Sequence, residues 1–302
     1  MKKVSIIGSG NVGANAAFFI AEMAAAHVTL IDIEEGRAAG KALDMMEAAP
    51  IRRYRTKLEG SDNIEAIEGS DIVVITAGLI REPGKDRTEH FQENREILLS
   101  MVEPITKLAP DCKVIVAPEP VDPMVKIFTE KSGFDRKRVM GIGGVLDTTR
   151  MAGFIAEELG ISARDVNAMV IGSHTKKMVP LPFYSRVSGI NITELLGEGA
   201  IERVIHNTRQ AGNLIVDLAK RANAYYAPAS AIAQVVEAIA IDTGKILSVS
   251  VLLDGEYGMK GVALSVPCKL GADGVEEIVE LKLAEETWKD FQASAEPIRD
   301  LA

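Results

Sequence analysis

Through the first half of the chain, short β-branched runs alternate with stretches whose apolar residues recur at helical spacing. The runs Val4–Ile7, Val28–Ile31, Asp71–Thr76, Lys113–Ala117 and Val139–Ile142 predict strands, and Asn11–Ala25 and Glu89–Leu108 predict helices between them. Near-continuous apolar strands are those buried on both faces, and their alternation with helices predicts an α/β, doubly wound parallel sheet. The second half has a different rhythm. A helix over Asp147–Leu159 and a strand near Val166–Ile171 come first, followed by long helical patterns at Ile201–Ala222 and Ala229–Ile241. Strands at Ile246–Leu252, Gly261–Pro267 and Val275–Leu281 follow, the first two separated by the turn sequence DGEYG at 254–258, and a helix over Ala284–Leu301 closes the chain. The pattern predicts an α/β half followed by an α+β half, with the change near Gly141–Val145 and no Pro/Gly-rich tether between them.

Composition narrows the class without changing this picture. A chain of 302 residues with 47% hydrophobic and 25% charged residues is typical of a globular enzyme of about two domains. The 34 Lys and Arg against 43 Asp and Glu leave a net charge of -9, which argues against a nucleic-acid partner. No apolar run reaches the ~18 residues of a membrane span. The four-residue run after Lys2 and Lys3 is shorter than the roughly 7 residues of a secretory leader core, so it is expected to be a first strand in a cytoplasmic protein. Two cysteines, Cys112 and Cys268, cannot make a disulfide framework or a four-cysteine zinc site, and no Cys/His pair has metal-ligand spacing.

The chemistry begins at Gly8-Ser9-Gly10-Asn11-Val12-Gly13, placed between a strand and a helix. In such a turn the first glycine permits the tight bend and the second the approach of a pyrophosphate. The third allows helix and strand to pack closely, and the helix N-terminus offers amide donors to the phosphates. Asp32 ends the second strand, VTLID, where a carboxylate accepts the ribose hydroxyls of NAD and repels the 2′-phosphate of NADP. NAD is therefore the expected cofactor.

Of the four histidines, His27 precedes an apolar strand, His206 lies in a long helical pattern, and His90 stands near a helix start. His174 follows the apolar run VNAMVIG, at a strand's C-terminal end, where α/β sites gather. It is the acid/base candidate. Asp147 and Arg150 in GVLDTTR share a helical face. Read alone they make an ordinary ion pair; beside a histidine, the aspartate orients the imidazole and the arginine grips a substrate carboxylate. The loop GLIREPGKDRTEH at 78–90 has the composition of a lid, and its Arg81 and Arg87 suit a doubly anionic substrate.

These segments together resemble the malate/lactate dehydrogenase family, in particular its malate dehydrogenases of lactate-dehydrogenase-like type. The resemblance rests on GSGNVG at 8–13, LID at 30–32, GLIREPGKDR at 78–87, GVLDTTR at 144–150 and GSHTKKMVPLP at 172–182. YYAPAS at 225–230 and VLLDGEYG at 251–258 also fit. It implies a Rossmann domain over residues 1–142 and an α+β catalytic domain over 143–302. It further implies malate and oxaloacetate as substrates, and a homodimer or homotetramer. His174 is then the proton acceptor and donor, with Asp147 as its orienting partner. Arg150 binds the C1 carboxylate, Arg87 polarises the C2 oxygen, and Arg81 reads the second carboxylate. Cofactor contacts are expected at Gly8, Gly10, Asn11, Val12, Gly13, Asp32, Thr76, Ala77, Gly78, Asn94 and Ala117.

The chain also departs from the family pattern. Glu119, in APEPVD, stands where the family usually has an asparagine that donates to the C2 oxygen; an ionised glutamate donates nothing there. His174 is followed by Thr175-Lys176-Lys177 instead of Gly-Asp-Thr, and Ile80 and Glu82 replace the lid's usual Pro and Lys. An acid in one site segment and bases in another suggest that Glu119 pairs with Lys176 or Lys177. Three functions stay open on this reading: a malate dehydrogenase, a related 2-hydroxy acid dehydrogenase with altered preference, or an NAD-binding relative with impaired turnover.

Overall fold

The computed structural model describes residues 1–79, 87–220 and 223–299. The first half runs β1 (Lys2–Ile7), α1 (Asn11–Glu22), β2 (Ala26–Ile31), α2 (Arg37–Arg52), β3 (Leu58–Ser61), β4 (Ile72–Ile75), α3 (Arg87–Leu108), β5 (Lys113–Val116), α4 (Val121–Ser132) and β6 (Val139–Gly141). The second runs α5 (Gly143–Leu159), β7 (Val166–Asn167), β8 (Val170–Ile171), β9 (Val179–Pro180), β10 (Arg186–Val187), β11 (Ile190–Asn191), α6 (Ile192–Leu195), α7 (Glu198–Ala219) and α8 (Tyr226–Ala240). It ends with β12 (Lys245–Asp254), β13 (Lys260–Gly271), β14 (Gly274–Ile278), α9 (Glu285–Ser294) and α10 (Glu296–Arg299).

Strands β1 to β6 form a parallel sheet in the order β6-β5-β4-β1-β2-β3. All four residues of β4, Ile-Val-Val-Ile, are buried, as a strand covered by helices on both faces requires. The antiparallel strands β12, β13 and β14 extend the same sheet, because β12 pairs with β6 through Ser250 opposite Gly141. The chain order reverses between β1 and β4, and crevices at such reversals, beyond the strands' C-terminal ends, are where α/β sheets bind ligands.

The differences from the predicted elements have local causes. Helix α2 carries Gly40 and Pro50 and buries only Ala38 and Ala42, so its apolar signal is faint. Helix α4 buries eight of its 12 residues, but Pro123 disguises it; a proline in the first turn removes no helical hydrogen bond. The strand expected near 166–171 is two two-residue strands in different sheets, with β7 pairing β10 and β8 pairing β9. The closing helix is broken between Ser294 and Glu296, just ahead of Pro297. Among the described residues, no helix is long and apolar enough to cross a membrane, and no His, Cys, Asp and Glu cluster could hold a metal.

Candidate active site

The glycine turn is held from below by the neighbouring strand. The N–H groups of Thr76 and Ala77, just past β4, both donate to the Ile7 carbonyl at 2.8 Å. The Thr76 hydroxyl donates to the carbonyl of Gly8 at 2.8 Å. Gly8 has φ +105°, and a Cβ on it would lie 2.6 Å from the Ala77 nitrogen; a Cβ on Gly13 would overlap the Gly8 carbonyl oxygen. Only glycine fits either position. Around Gly10, by contrast, a Cβ would meet nothing within 4 Å. The open space lies at the start of α1, whose first turn has no side-chain cap and no acidic residue. Backbone donors thus face a space that an anion can enter.

Asp32 is buried beside this turn. Its Oδ2 accepts from the Ser9 N–H at 2.7 Å and the Ser9 hydroxyl at 2.6 Å, and its Oδ1 accepts from the Glu34 N–H at 3.1 Å. Burial pushes its carboxyl up, but these donors outweigh burial and hold it below the ordinary value. Lys41 of α2 donates to the Ser9 carbonyl at 2.6 Å, a second-segment brace that nothing in the sequence pattern marks. The open turn, the uncapped helix and the ionised Asp32 fit a dinucleotide.

Along the same edge, the chain after β8 delivers His174 against α5. Its Nδ1 lies 2.7 Å from Asp147 Oδ2. Gly143, at the start of α5, makes the approach possible, since a Cβ there would sit 2.8 Å from that of His174. Arg150, one turn further, has Nη1 3.5 Å from Asp147 Oδ1, and its buried Nε has no hydrogen-bond partner. An unpaired guanidinium donor beside the histidine suits a substrate carboxylate. The other face of His174 meets Glu119, whose Oε1 is 3.1 Å from Nε2.

One further residue fixes the histidine from behind, and another braces the segment that carries Glu119. Asp122 of α4 accepts the His174 backbone N–H at 2.7 Å and the Ser250 hydroxyl at 2.6 Å; burial pushes its carboxyl up to about 6. Asn94 of α3 accepts the Leu79 N–H at 2.7 Å and donates to the Glu119 carbonyl at 2.9 Å, tying the chain after β4 to the chain after β5. Asn94 was expected along the cofactor, and here its amide links these two loops.

Residues 2–141 match the model for the lactate/malate dehydrogenase NAD binding domain, and residues 144–300 that for the lactate/malate dehydrogenase alpha/beta C-terminal domain. The chain belongs to the lactate/malate dehydrogenase family. A malate dehydrogenase of Methanosarcina mazei is 44% identical over 299 residues, covering 99% of this chain and 97% of the relative. The malate dehydrogenase of Salinibacter ruber superposes with a TM-score of 0.94 at 41% identity, over 99% of this chain and 96% of that one. A lactate dehydrogenase of Cryptosporidium parvum, solved with lactic acid and nicotinamide adenine dinucleotide, also reaches 0.94, at 35% identity over 99% of this chain and 96% of that one. The fold therefore serves both substrates, and side chains must choose between them.

The family's remaining positions are placed unevenly. Thr76, Ala77 and Gly78 follow β4, Ala117 follows β5, and Asn11 and Val12 open α1. Arg81 lies outside the described residues; Arg87 begins α3, but its side chain is outside them too. His27 accepts the Lys57 N–H at 3.1 Å, far from the cleft in sequence and role, and His206 is exposed on α7. The expected pairing of Glu119 with Lys176 or Lys177 is not made. Lys177 pairs with Glu296 at 2.6 Å, no ion pair joins Lys176 to Glu119, and Glu119 is instead on His174. Charge matching along the sequence missed that the carboxylate faces the imidazole directly, while Lys177 turns toward the C-terminal helix.

Proposed function

We propose that the protein interconverts malate and oxaloacetate with NAD. The observation that carries this reading is the joining of His174, Asp147 and Arg150 in one cleft at the edge that also carries the glycine turn. The turn at 8–13, with Asp32, holds the cofactor, which when bound supplies the hydride acceptor for C2. Arg150 binds the C1 carboxylate through its free guanidinium donors. Asp147 fixes the His174 ring by accepting a hydrogen bond from Nδ1–H, so that Nε2 faces the C2 oxygen. In oxidation, Nε2 takes the hydroxyl proton as the C2–H pair leaves; in reduction it returns that proton to the carbonyl oxygen. Arg87 polarises that oxygen and Arg81 binds the second carboxylate. An arginine at that position disfavours lactate, which would leave the cation beside a methyl group. Residues 1–142 carry the cofactor and 143–302 most of the substrate site, in a cytoplasmic homodimer or homotetramer.

Glu119 favours a second reading, a 2-hydroxy acid dehydrogenase with altered preference or low turnover, because it replaces a donor with an acceptor. NADH oxidation with oxaloacetate, with pyruvate and NADPH as parallel controls, separates the two. Turnover with oxaloacetate and NADH alone is expected. NADH binding without oxaloacetate reduction overturns the malate reading.

A further inference from the structure

His174 is flanked by carboxylates on both ring nitrogens. Asp147 Oδ2 is 2.7 Å from Nδ1 and Glu119 Oε1 is 3.1 Å from Nε2. A neutral imidazole has one N–H and satisfies only one of them, whereas an imidazolium donates to both. The other groups facing the ring do not reverse this balance. From α5, Arg150 approaches Asp147; from α4, Asp122 takes the His174 backbone N–H; from α3, His90 lies near Glu119 and Asn94. Ser250 on β12 is neutral and bonded to Asp122. On the histidine's own segment, Lys177 is held by Glu296 and Lys176 is exposed. Burial alone would lower the basicity of the ring, but Asp147 and then Glu119 outweigh it and raise it well above the ordinary value. Packing against the ring strips some water from the Glu119 carboxyl, but the imidazolium outweighs this and holds it below its usual range.

The two carboxylates differ in freedom. The Asp147 side chain is 2% exposed and that of Glu119 56% exposed. Asp147 is a fixed anchor; Glu119 can swing into solvent without stranding a buried charge. Its oxygen also sits on the nitrogen that a substrate's C2 oxygen needs.

We propose that Glu119 is a positioning residue that caps His174 Nε2, keeps the substrate-free site in its proton-donating form, and is displaced by the incoming substrate. The inference builds on the malate/oxaloacetate reading above. In reduction the Nε2–H bond breaks, an O–H bond forms on the C2 oxygen as hydride reaches C2, and the ring is left neutral with its Nδ1–H on Asp147. Oxidation must begin from that neutral ring, so Glu119 moves the onset of malate oxidation to higher pH and extends oxaloacetate reduction in the same direction. The overall equilibrium is untouched; only the pH dependence of the two rates moves.

The test is an NMR titration of the His174 ring in the substrate-free protein, for wild type, Glu119→Gln and Glu119→Asp. A partner charge at this range shifts a titration by about 1–3 pH units. Glu119→Gln is therefore expected to lower the midpoint by about one unit or more, and Glu119→Asp, which keeps a charge on a shorter arm, to lower it less. The acid limb of kcat/KM for malate is expected to move down by the same interval, making the Gln variant about tenfold faster on that limb. An unchanged ring midpoint in Glu119→Gln, with NADH binding intact, overturns the proposal even if malate is turned over. A lowered midpoint without malate turnover upholds the cap and overturns the substrate reading instead.

Discussion

The turn after β1 and the cleft around His174 lie along one edge of one sheet, but they are built from different materials. The turn is backbone: Gly8, Gly10 and Gly13 leave room, and Thr76 and Ala77 hold the loop by main-chain bonds. The cleft is charge: two carboxylates, Asp147 and Glu119, bracket one imidazole, a third, Asp122, holds its backbone N–H, and Arg150 is the nearby cation. A backbone site tolerates few substitutions and binds one kind of group, whereas a charged site is retuned by a single side chain. Glu119 is such a change, made without altering the glycine turn at all.

If the two regions are independent, disabling one leaves the other unchanged. His174→Asn is expected to lower turnover of oxaloacetate by about 10²–10⁴-fold, the range that general acid–base catalysis supplies. NADH affinity, measured by fluorescence, should stay at the wild-type value; a parallel loss of binding would show that the regions are not separate. Arg150→Ala is expected to reduce kcat/KM for oxaloacetate by about 2–5 kcal/mol of transition-state binding, again without weakening NADH. If Arg150→Ala left kcat/KM intact, the carboxylate site would lie elsewhere.

The reverse experiment is smaller in effect. A Cβ at Gly13 collides with the Gly8 carbonyl, so Gly13→Ala forces a backbone shift of the kind that costs about 1–3 kcal/mol. NADH binding should weaken by about tenfold in calorimetry, while the His174 ring keeps its titration. A shift in that titration would mean the turn and the cleft communicate.

Stability against pH gives the smallest signal. The His174 midpoint is raised in the folded protein above the roughly 6.5 of an unfolded chain. Its contribution to stability is therefore whole below about pH 6.5 and fades as pH rises through the folded value. The wild-type melting temperature should fall over that interval more than that of His174→Asn. Equal slopes would remove the imidazolium from the account.

Legibility in the sequence follows the same division. The glycine turn, Asp32 and the core strands are contiguous patterns, and contiguous patterns report themselves. His174, Asp147 and Arg150 were recognisable as chemistry, although their meeting depends on α5 packing under the chain after β8. Asp122, Gly143 and Ser250 went unrecognised because their roles exist only between distant segments; the longest is the bond from Ser250 to Asp122, across 128 residues. Asn94 is expected on the cofactor, but its ties to Leu79 and Glu119, 15 and 25 residues away, leave no mark in the sequence. Glu119 was visible as an anomaly, yet its partner was misjudged. Lys177 found Glu296, 119 residues away, and the acid found the histidine.

Malate carrying deuterium at C2, incubated with NAD, follows the transferred hydride itself. The label is expected in the NADH formed, read by mass spectrometry, and His174→Asn is expected to give no label beyond its residual turnover. Unlabelled NADH, or label released to water, would contradict a hydride passing from C2 of malate and with it the function assigned to this cleft.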